Sequence, residues 1–377
     1  MITKDFVVNS LEELKNEIRS ATQDFQPTLA ILFCSLKHDL VAISTLFDEA
    51  DIDLLGCSSA GEIRNENIYD SSIVCILTDI KREYYNIILQ KTNDSTYQTA
   101  LDVGYQVKSS FTNPAVLVVS GGFSIDGEQI VRGIKDAVQR DIPIFGGLAG
   151  DDAQQDKTYA FSRFGQTENG LVSLILNHDK IEVEGLATSG WEAIGAVHTI
   201  TKAEGNIIYT IDDKPALDVF IRHFGYFDNV NTASETINKM SSQYPLQIQQ
   251  DGDYSILRSP LFRAEDKTLI LGGGVKEGDK FRFSISPGFD VIDKTIEEYS
   301  LLQRETPQVD LMILFSCVGR HAAFGPMIED EIAGIYEKWE APLVGLFTYG
   351  EIGSVKNKPS DFHNETCSLV LLKEKNS

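Results

Sequence analysis

Three stretches of the chain repeat one order of apolar and polar positions. In the first, Ile31-Leu32-Phe33-Cys34-Ser35 reads as a short buried strand, Leu40 to Ala50 as a helix, Asp53 to Glu62 as a strand running into a glycine-containing turn, and Ile73 to Leu77 as a further strand. In the second, the strand is Leu117 to Gly121, the helix Glu128 to Gln139 with Ile130, Ile134 and Val138 on one face, the turn Pro143 to Asp151, and the last strand Leu171 to Leu176. The third runs Ile313 to Cys317, Met327 to Trp339, Pro342 to Glu351 and Cys367 to Leu372. Each copy is strand, helix, strand, Gly-x(3–4)-Gly-acid turn, strand, and such internal similarity outranks any single motif as a guide to the fold. Continuous apolar strands alternating with helices predict an α/β fold with parallel pairing buried on both faces.

The middle of the chain breaks this pattern. Ile181 to Glu184, His198 to Thr201 and Ile207 to Tyr209 alternate as strands, with a hairpin turn at Glu204-Gly205-Asn206. Asp212-Asp213-Lys214-Pro215 predicts a helix start, with Leu217, Phe220, Ile221 and Phe224 as its stripe and Gly225 as its end. Asp228 to Gln243 is polar, weakly periodic and expected to be a mobile connector; β-like runs return from Leu246 to Pro287. Gly272-Gly273-Gly274 lacks the Lys-Ser/Thr ending and following helix of a phosphate loop and reads as a turn. The long β-rich middle favours separate N- and C-terminal halves.

The copies also predict a site. Ligands of open α/β sheets sit outside the carboxyl ends of the strands. Here those ends carry Ser35, Gly121 and Cys317, and the three turns follow strand ends as well. If the copies converge, Gly56, Ser58, Gly61, Gly121, Gly147, Gly150 and Gly350 let a ligand approach the backbone. Glu62, Asp151 and Glu351 occupy equivalent turn positions, either to hold a cationic group or merely to fix their turns. Arg320, just beyond Cys317, suits a carboxylate or phosphate, or an ion pair with one of those acids. Tyr349 would close the site with its hydroxyl, and Trp191 reads as an aromatic wall or interdomain plug.

Other chemistry is sparser. The six histidines show no metal-ligand spacing, so no metal is expected, although a haem needs only one axial His, here His321 or His223. Cys317 as a nucleophile would need His321 or His363 as its base, whereas a buried free cysteine ordinarily packs as a small hydrophobe. His363 is expected to bond its local loop.

The 377 residues suffice for two or three domains with a core that needs no disulfide. With 33 Lys plus Arg against 56 Asp plus Glu, the net charge of −23 opposes nucleic-acid and anionic-membrane binding. Five cysteines without a CxxC, no signal peptide and no apolar run of membrane-spanning length point to a cytoplasmic protein.

The set Leu55 to Glu62, Gly146 to Asp152, Gly190-Trp191, Thr201-Lys202-Ala203, Pro215-Ala216-Leu217, Arg258-Ser259-Pro260, Phe315 to Arg320, Thr348 to Glu351 and Phe362 to Thr366 resembles the FIST family of intracellular signal-transduction sensor domains, in order along almost the whole chain. The resemblance implies an N-terminal half over 1–215 and a C-terminal half over 216–377. It also implies a non-catalytic small-molecule sensor, amino acids being the suggested ligand class. Some members of the family resemble haem-binding nitric-oxide sensors that regulate histidine kinases. No kinase, cyclase or chemoreceptor segment is seen here, so the expected output is a separate partner, such as a histidine kinase, or a homo-oligomer. A haem sensor and a cysteine-dependent hydrolase are the alternatives. The expected moving parts are Asp228 to Gln243 and the junction near Trp191.

Overall fold

In the first copy, Thr3–Val8, Leu11–Asp24 and Leu29–Cys34 form a strand, a helix and a strand; Leu40–Glu49, Asp53–Ser58, the hairpin Glu62–Arg64/Asn67–Tyr69 and the strand Ile73–Thr78 complete it. These are features of a computed structural model, which describes residues 1–93, 95–224, 244–250, 254–263, 266–285, 288 and 290–375. The connector expected at Asp228 to Gln243, and Gly225, lie outside the described residues.

The second copy repeats this order: Tyr85–Lys91, Thr96–Ser110, Pro114–Gly121, Gly127–Val138, Ile144–Leu148, a hairpin Ala160–Ser162/Gly165–Thr167, and Gly170–Asn177. So does the third: Ile181–Thr188, Asp290–Glu305, Leu311–Cys317, Ile328–Trp339, Leu343–Thr348, a hairpin Glu351–Ser354/Ser360–His363, and Cys367–Glu374. The β-rich segment is inserted in this third copy, between its first strand and its first helix. The expected α/β class and the repeated unit are therefore present, and each copy is longer at its start than the sequence pattern indicated.

Each copy builds its own sheet around one parallel pair, for example Leu29–Cys34 beside Asp53–Ser58. The last strand pairs antiparallel on the other side, as Ile73–Thr78 does with Leu29–Cys34. The far edge of each sheet is borrowed. The first copy's hairpin joins the third copy's sheet through Glu62 opposite Leu346. The second copy's joins the first through Ala160 opposite Cys57. The third copy's joins the second through Glu351 opposite Gly147. The N- and C-terminal parts are thus interlocked rather than side by side.

Strand periodicity explains the cores. Leu29, Ile31 and Phe33 share one inner core with Leu117, Val119, Ile313 and Phe315, with the Phe33 and Phe315 rings 5.9 Å apart. The intervening Ala30, Leu32 and Cys34 face the first copy's helices, which supply Leu14, Ile18, Ile43 and Phe47. A strand buried on both faces needs apolar residues at every position, which is why these runs do not alternate.

The insert is a sheet in the order Tyr254–Arg258, Leu246–Gln250, Lys280–Ile285, Glu192–Glu204, Ile207–Ile211, Thr268–Leu271, Pro260–Arg263. Its two edge strands are joined by Ser259 alone, so the sheet curls on itself. The helix Ala216–Phe224 packs Ala216, Leu217 and Phe220 into its core. Asp212 and Asp213 take left-handed φ, and Lys214–Pro215 pairs as a short strand, so the helix starts after the proline rather than at the aspartates.

Candidate functional site

The three glycine turns do meet. Gly150 N–H donates to Ser58 O (3.0 Å) and Asp152 N–H to Ser59 O (2.9 Å), tying the second turn to the first. Ala60 N–H donates to Phe347 O (3.0 Å), Leu148 N–H to Gly350 O (2.8 Å) and Tyr349 N–H to Leu148 O (3.0 Å), closing the ring through the third. What fills the space beside most of these glycines is the neighbouring chain. A Cβ on Gly150 would lie 2.4 Å from Ala60 N, and one on Gly121 2.3 Å from Thr167 O. Gly56 and Gly350 face the rings of Phe161 and Phe362, and Gly147 faces Thr348. Ser58 is likewise committed, donating to Gly150 O (2.6 Å) and accepting from Tyr159 N–H (2.9 Å).

The acids divide. Glu62 accepts from Ser59 Oγ and from the N–H (3.0 Å) and Oγ (2.8 Å) of Ser72. Glu351 accepts from Thr348 Oγ1 (2.5 Å) and from the N–H (3.2 Å) and Oγ1 (2.9 Å) of Thr366. Burial pushes Glu62 up to about 7 and Glu351 up to about 8. Both fix their own turns. Asp151 is not their equivalent: the ladder places Ala160 opposite Cys57, where the other copies have Glu62 opposite Leu346 and Glu351 opposite Gly147. Asp151 instead accepts from Gln155, Asp156 and Lys157 N–H and from the Tyr349 hydroxyl. The Tyr349 ring lies 5.6 Å from Phe123.

Arg320 is fully buried and does not face a hollow. Its Nε and Nη2 meet both carboxylate oxygens of Glu331, Nη1 donates to Ser189 O (2.6 Å) and Glu365 O (3.0 Å), and Nη2 to Thr295 Oγ1 (3.3 Å). Those bonds use all five donors of the fork, so none is spare for a ligand. The ion-pair reading of Arg320 is the one its geometry supports, with Glu331 in place of the turn acids.

Cys317 is buried, and burial pushes its thiol well up, away from the thiolate that nucleophilic attack requires. His363 contacts Gly353 O (3.2 Å) and is lowered by burial to about 4. A haem needs an imidazole with apolar walls around the macrocycle. The His321 ring is stacked on Phe347 at 4.5 Å and borders a cleft edged by Lys37 and Asp70, while the His223 ring lies 4.1 Å from that of Phe283. The polar edges of the cleft beside His321 do not offer a haem those apolar walls, and the segment that follows His223 lies outside the described residues.

An opening lies where the three copies meet, beside the carboxyl ends of Leu29–Cys34 and Leu311–Cys317. It is a cleft of about 500 Å³, lined by Lys37, Gly61, Asp70, Ser71, Asp152, Gln154, Val318, His321 and Ala322, among others. Of the predicted residues it gathers Gly61 and His321. Lys37 Nζ bonds Ser71 Oγ. Asp152 Oδ2 accepts from Ser35 Oγ (2.8 Å) and Leu36 N–H (3.2 Å), and its other oxygen takes no hydrogen bond from a described residue. Burial lowers His321, favouring the neutral ring near pH 7. A cation, two carboxylates and a neutral imidazole around one opening suit a ligand carrying both signs of charge. Lys37 was legible in principle: it follows a strand end as Arg320 does. Asp70 and Asp152 carried no comparable signal, because only the exchange of hairpins brings their loops here.

A second cavity, about 490 Å³, lies at the opposite strand ends, with Phe145, Val183, Glu184, Leu302, Glu305 and Lys356 among its lining. Its Lys356 is committed to Glu305 at 3.0 Å. Among the described residues no group of His, Cys, Asp and Glu has the arrangement of a metal site, and no helix is long and apolar enough to cross a membrane.

Three interlocked α/β units carrying a β-rich insert define a modular α/β architecture with a polar cleft beside its glycine turns. Residues 28–214 match the FIST N domain and residues 216–354 the FIST C domain, so the chain belongs to the FIST family, whose domains are signal-transduction sensors. The boundary between the two matches falls inside the β-rich insert. An uncharacterized protein of Methanocaldococcus jannaschii is 22% identical over 352 residues, covering 83% of this chain; the chain spans 66% of that relative's length.

Proposed function

We propose that this chain is a cytoplasmic sensor of a small polar ligand, with an amino acid as the class, held in the cleft where the three copies meet. It passes the signal to a separate partner such as a histidine kinase. The observation that carries the reading is the cleft itself: it lies at strand carboxyl ends, where α/β folds bind ligands, and sets Lys37 against Asp70 and Asp152. Lys37 would hold the ligand carboxylate and the two aspartates its ammonium, with His321 selecting the side chain. Cys317 has no role in this reading beyond packing.

A ligand that binds only the folded state at one hundred times its Kd adds about 2.7 kcal/mol. A thermal-shift screen of the twenty amino acids is the first test. The expected result is a raised Tm with a subset of them, abolished in Lys37→Met. Equal shifts in wild type and Lys37→Met would place binding elsewhere, and no shift with any of them would remove the amino-acid class.

A further inference from the structure

We propose that the short helix Val318–Phe324 is the lever through which occupancy of the cleft reaches the β-rich insert; this rests on the cleft being the ligand site. The helix has seven residues and two faces. Val318, His321 and Ala322, at the i, i+3, i+4 spacing of one helical face, line the cleft. Arg320, Ala323 and Phe324 point the other way, into the junction with the insert.

That junction is built from the helix's back face. Arg320 Nη1 holds Ser189 O at 2.6 Å, on the chain entering the insert. The same nitrogen holds Glu365 O at 3.0 Å, and the Glu365 carboxylate accepts from Ser259 Oγ of the insert at 2.6 Å. The Phe324 ring lies 5.2 Å from Trp191, in a cluster with Leu257 and Val291. Trp191 O in turn accepts from Gln247 Nε2 (3.0 Å), inside the insert's sheet. Packed side chains and committed hydrogen bonds therefore run without a gap from the cleft wall to the strand Leu246–Gln250.

Arg320 ties the middle of the helix to Ser189, Thr295, Glu331 and Glu365, while its ends leave room for a small displacement. No side chain caps its N-terminus, and it ends at Gly325, whose φ of 56° and open surroundings leave room for a pivot. A ligand hydrogen-bonded to His321 would displace the front face, and Arg320 and Phe324 would carry that displacement to Ser189 and Trp191. Occupancy biases the insert only if the ligand binds the two helix positions unequally.

The test needs no ligand. Trp339→Phe leaves Trp191 as the sole tryptophan of the two. Ala322→Cys in that background puts a thiol on the exposed front face. The five native cysteines are buried, so a methanethiosulfonate carrying a charged head group labels the new one alone. The expected result is a shift of Trp191 emission and a rise on the order of tenfold in amide exchange over Leu246–Gln250. Phe324→Ala should abolish the exchange change. Labelling Val41→Cys, exposed and outside the lining of the cleft, should do nothing. Unchanged emission and exchange after labelling Ala322→Cys, or an equal effect from Val41→Cys, would overturn the proposal. A failed amino-acid screen with a positive result here would remove the ligand reading and leave the lever standing.

Discussion

Glu62 and Glu351 occupy the same place in two copies of one structural unit. Each accepts from a hydroxyl three residues earlier, Ser59 or Thr348, and from the N–H and hydroxyl of the residue before the copy's last strand, Ser72 or Thr366. Each also opens the hairpin that its copy lends to a neighbour's sheet. These carboxyls therefore clamp the crossing points of the interlocked fold.

Their environment makes stability depend on pH. Glu62 and Glu365 are pushed up to about 7 and Glu351 to about 8, in each case first by burial. An unfolded glutamate loses its proton near 4.3, so above that pH the folded state holds more protons, and stability falls as pH rises through the folded values. His363, lowered to about 4 by burial, acts in the opposite sense, but only below the unfolded histidine value near 6.5. Between about pH 6.5 and 8 the carboxyls dominate. Urea unfolding across that window should show falling stability, and Glu351→Gln should flatten the slope by up to about 1.4 kcal/mol per pH unit. An unchanged slope would refute this.

The Arg320–Glu331 pair gives a sharper stability prediction. Both side chains are fully buried. Glu331→Ala strands the guanidinium and should cost about 3–5 kcal/mol, while Arg320→Met with Glu331→Leu should recover much of the loss, because neither charge then remains unpaired. Equal losses in the single and double variants, measured by denaturant unfolding, would contradict the account.

Gly150→Ala tests the knitting of the turns. The added methyl would lie 2.4 Å from Ala60 N, a backbone atom that cannot swing away. The expected cost is about 1–3 kcal/mol or more. A variant as stable as wild type would show that the first and second turns are not so closely held.

Much of this architecture was legible, and the gaps have physical causes. The apolar runs around Ile31, Leu117 and Ile313 located the double-faced strands. The strand that opens each copy was harder to assign: Thr3–Val8 and Tyr85–Lys91 lie at sheet edges and carry polar residues, and Ile181 to Glu184, read as a strand, was placed with the β-rich middle rather than with the third copy. Its helix did carry a signal: Ser10 caps Leu11–Asp24 by accepting from Glu13 N–H, and Leu14, Ile18 and Ala21 fall on its buried face. Hairpin exchange left no trace, since strand partners chosen across copies have no local signature. Spacing equated Asp151 with Glu62 and Glu351, but the loop between Asp151 and Tyr159 moves the true equivalent to Ala160. Converging turns were foreseen, but the hollow among them is filled by neighbouring chain, and the usable opening lies beside them at Lys37 and His321.

Isothermal titration with the amino acid giving the largest thermal shift tests the central claim most directly. Wild type should bind one molecule per chain. Lys37→Met, losing a charge-assisted hydrogen bond of about 1.5–3 kcal/mol, should bind at least about tenfold more weakly while unfolding at the same temperature without ligand. Undiminished affinity in both Lys37→Met and His321→Ala would contradict the assignment of the cleft as the sensing site.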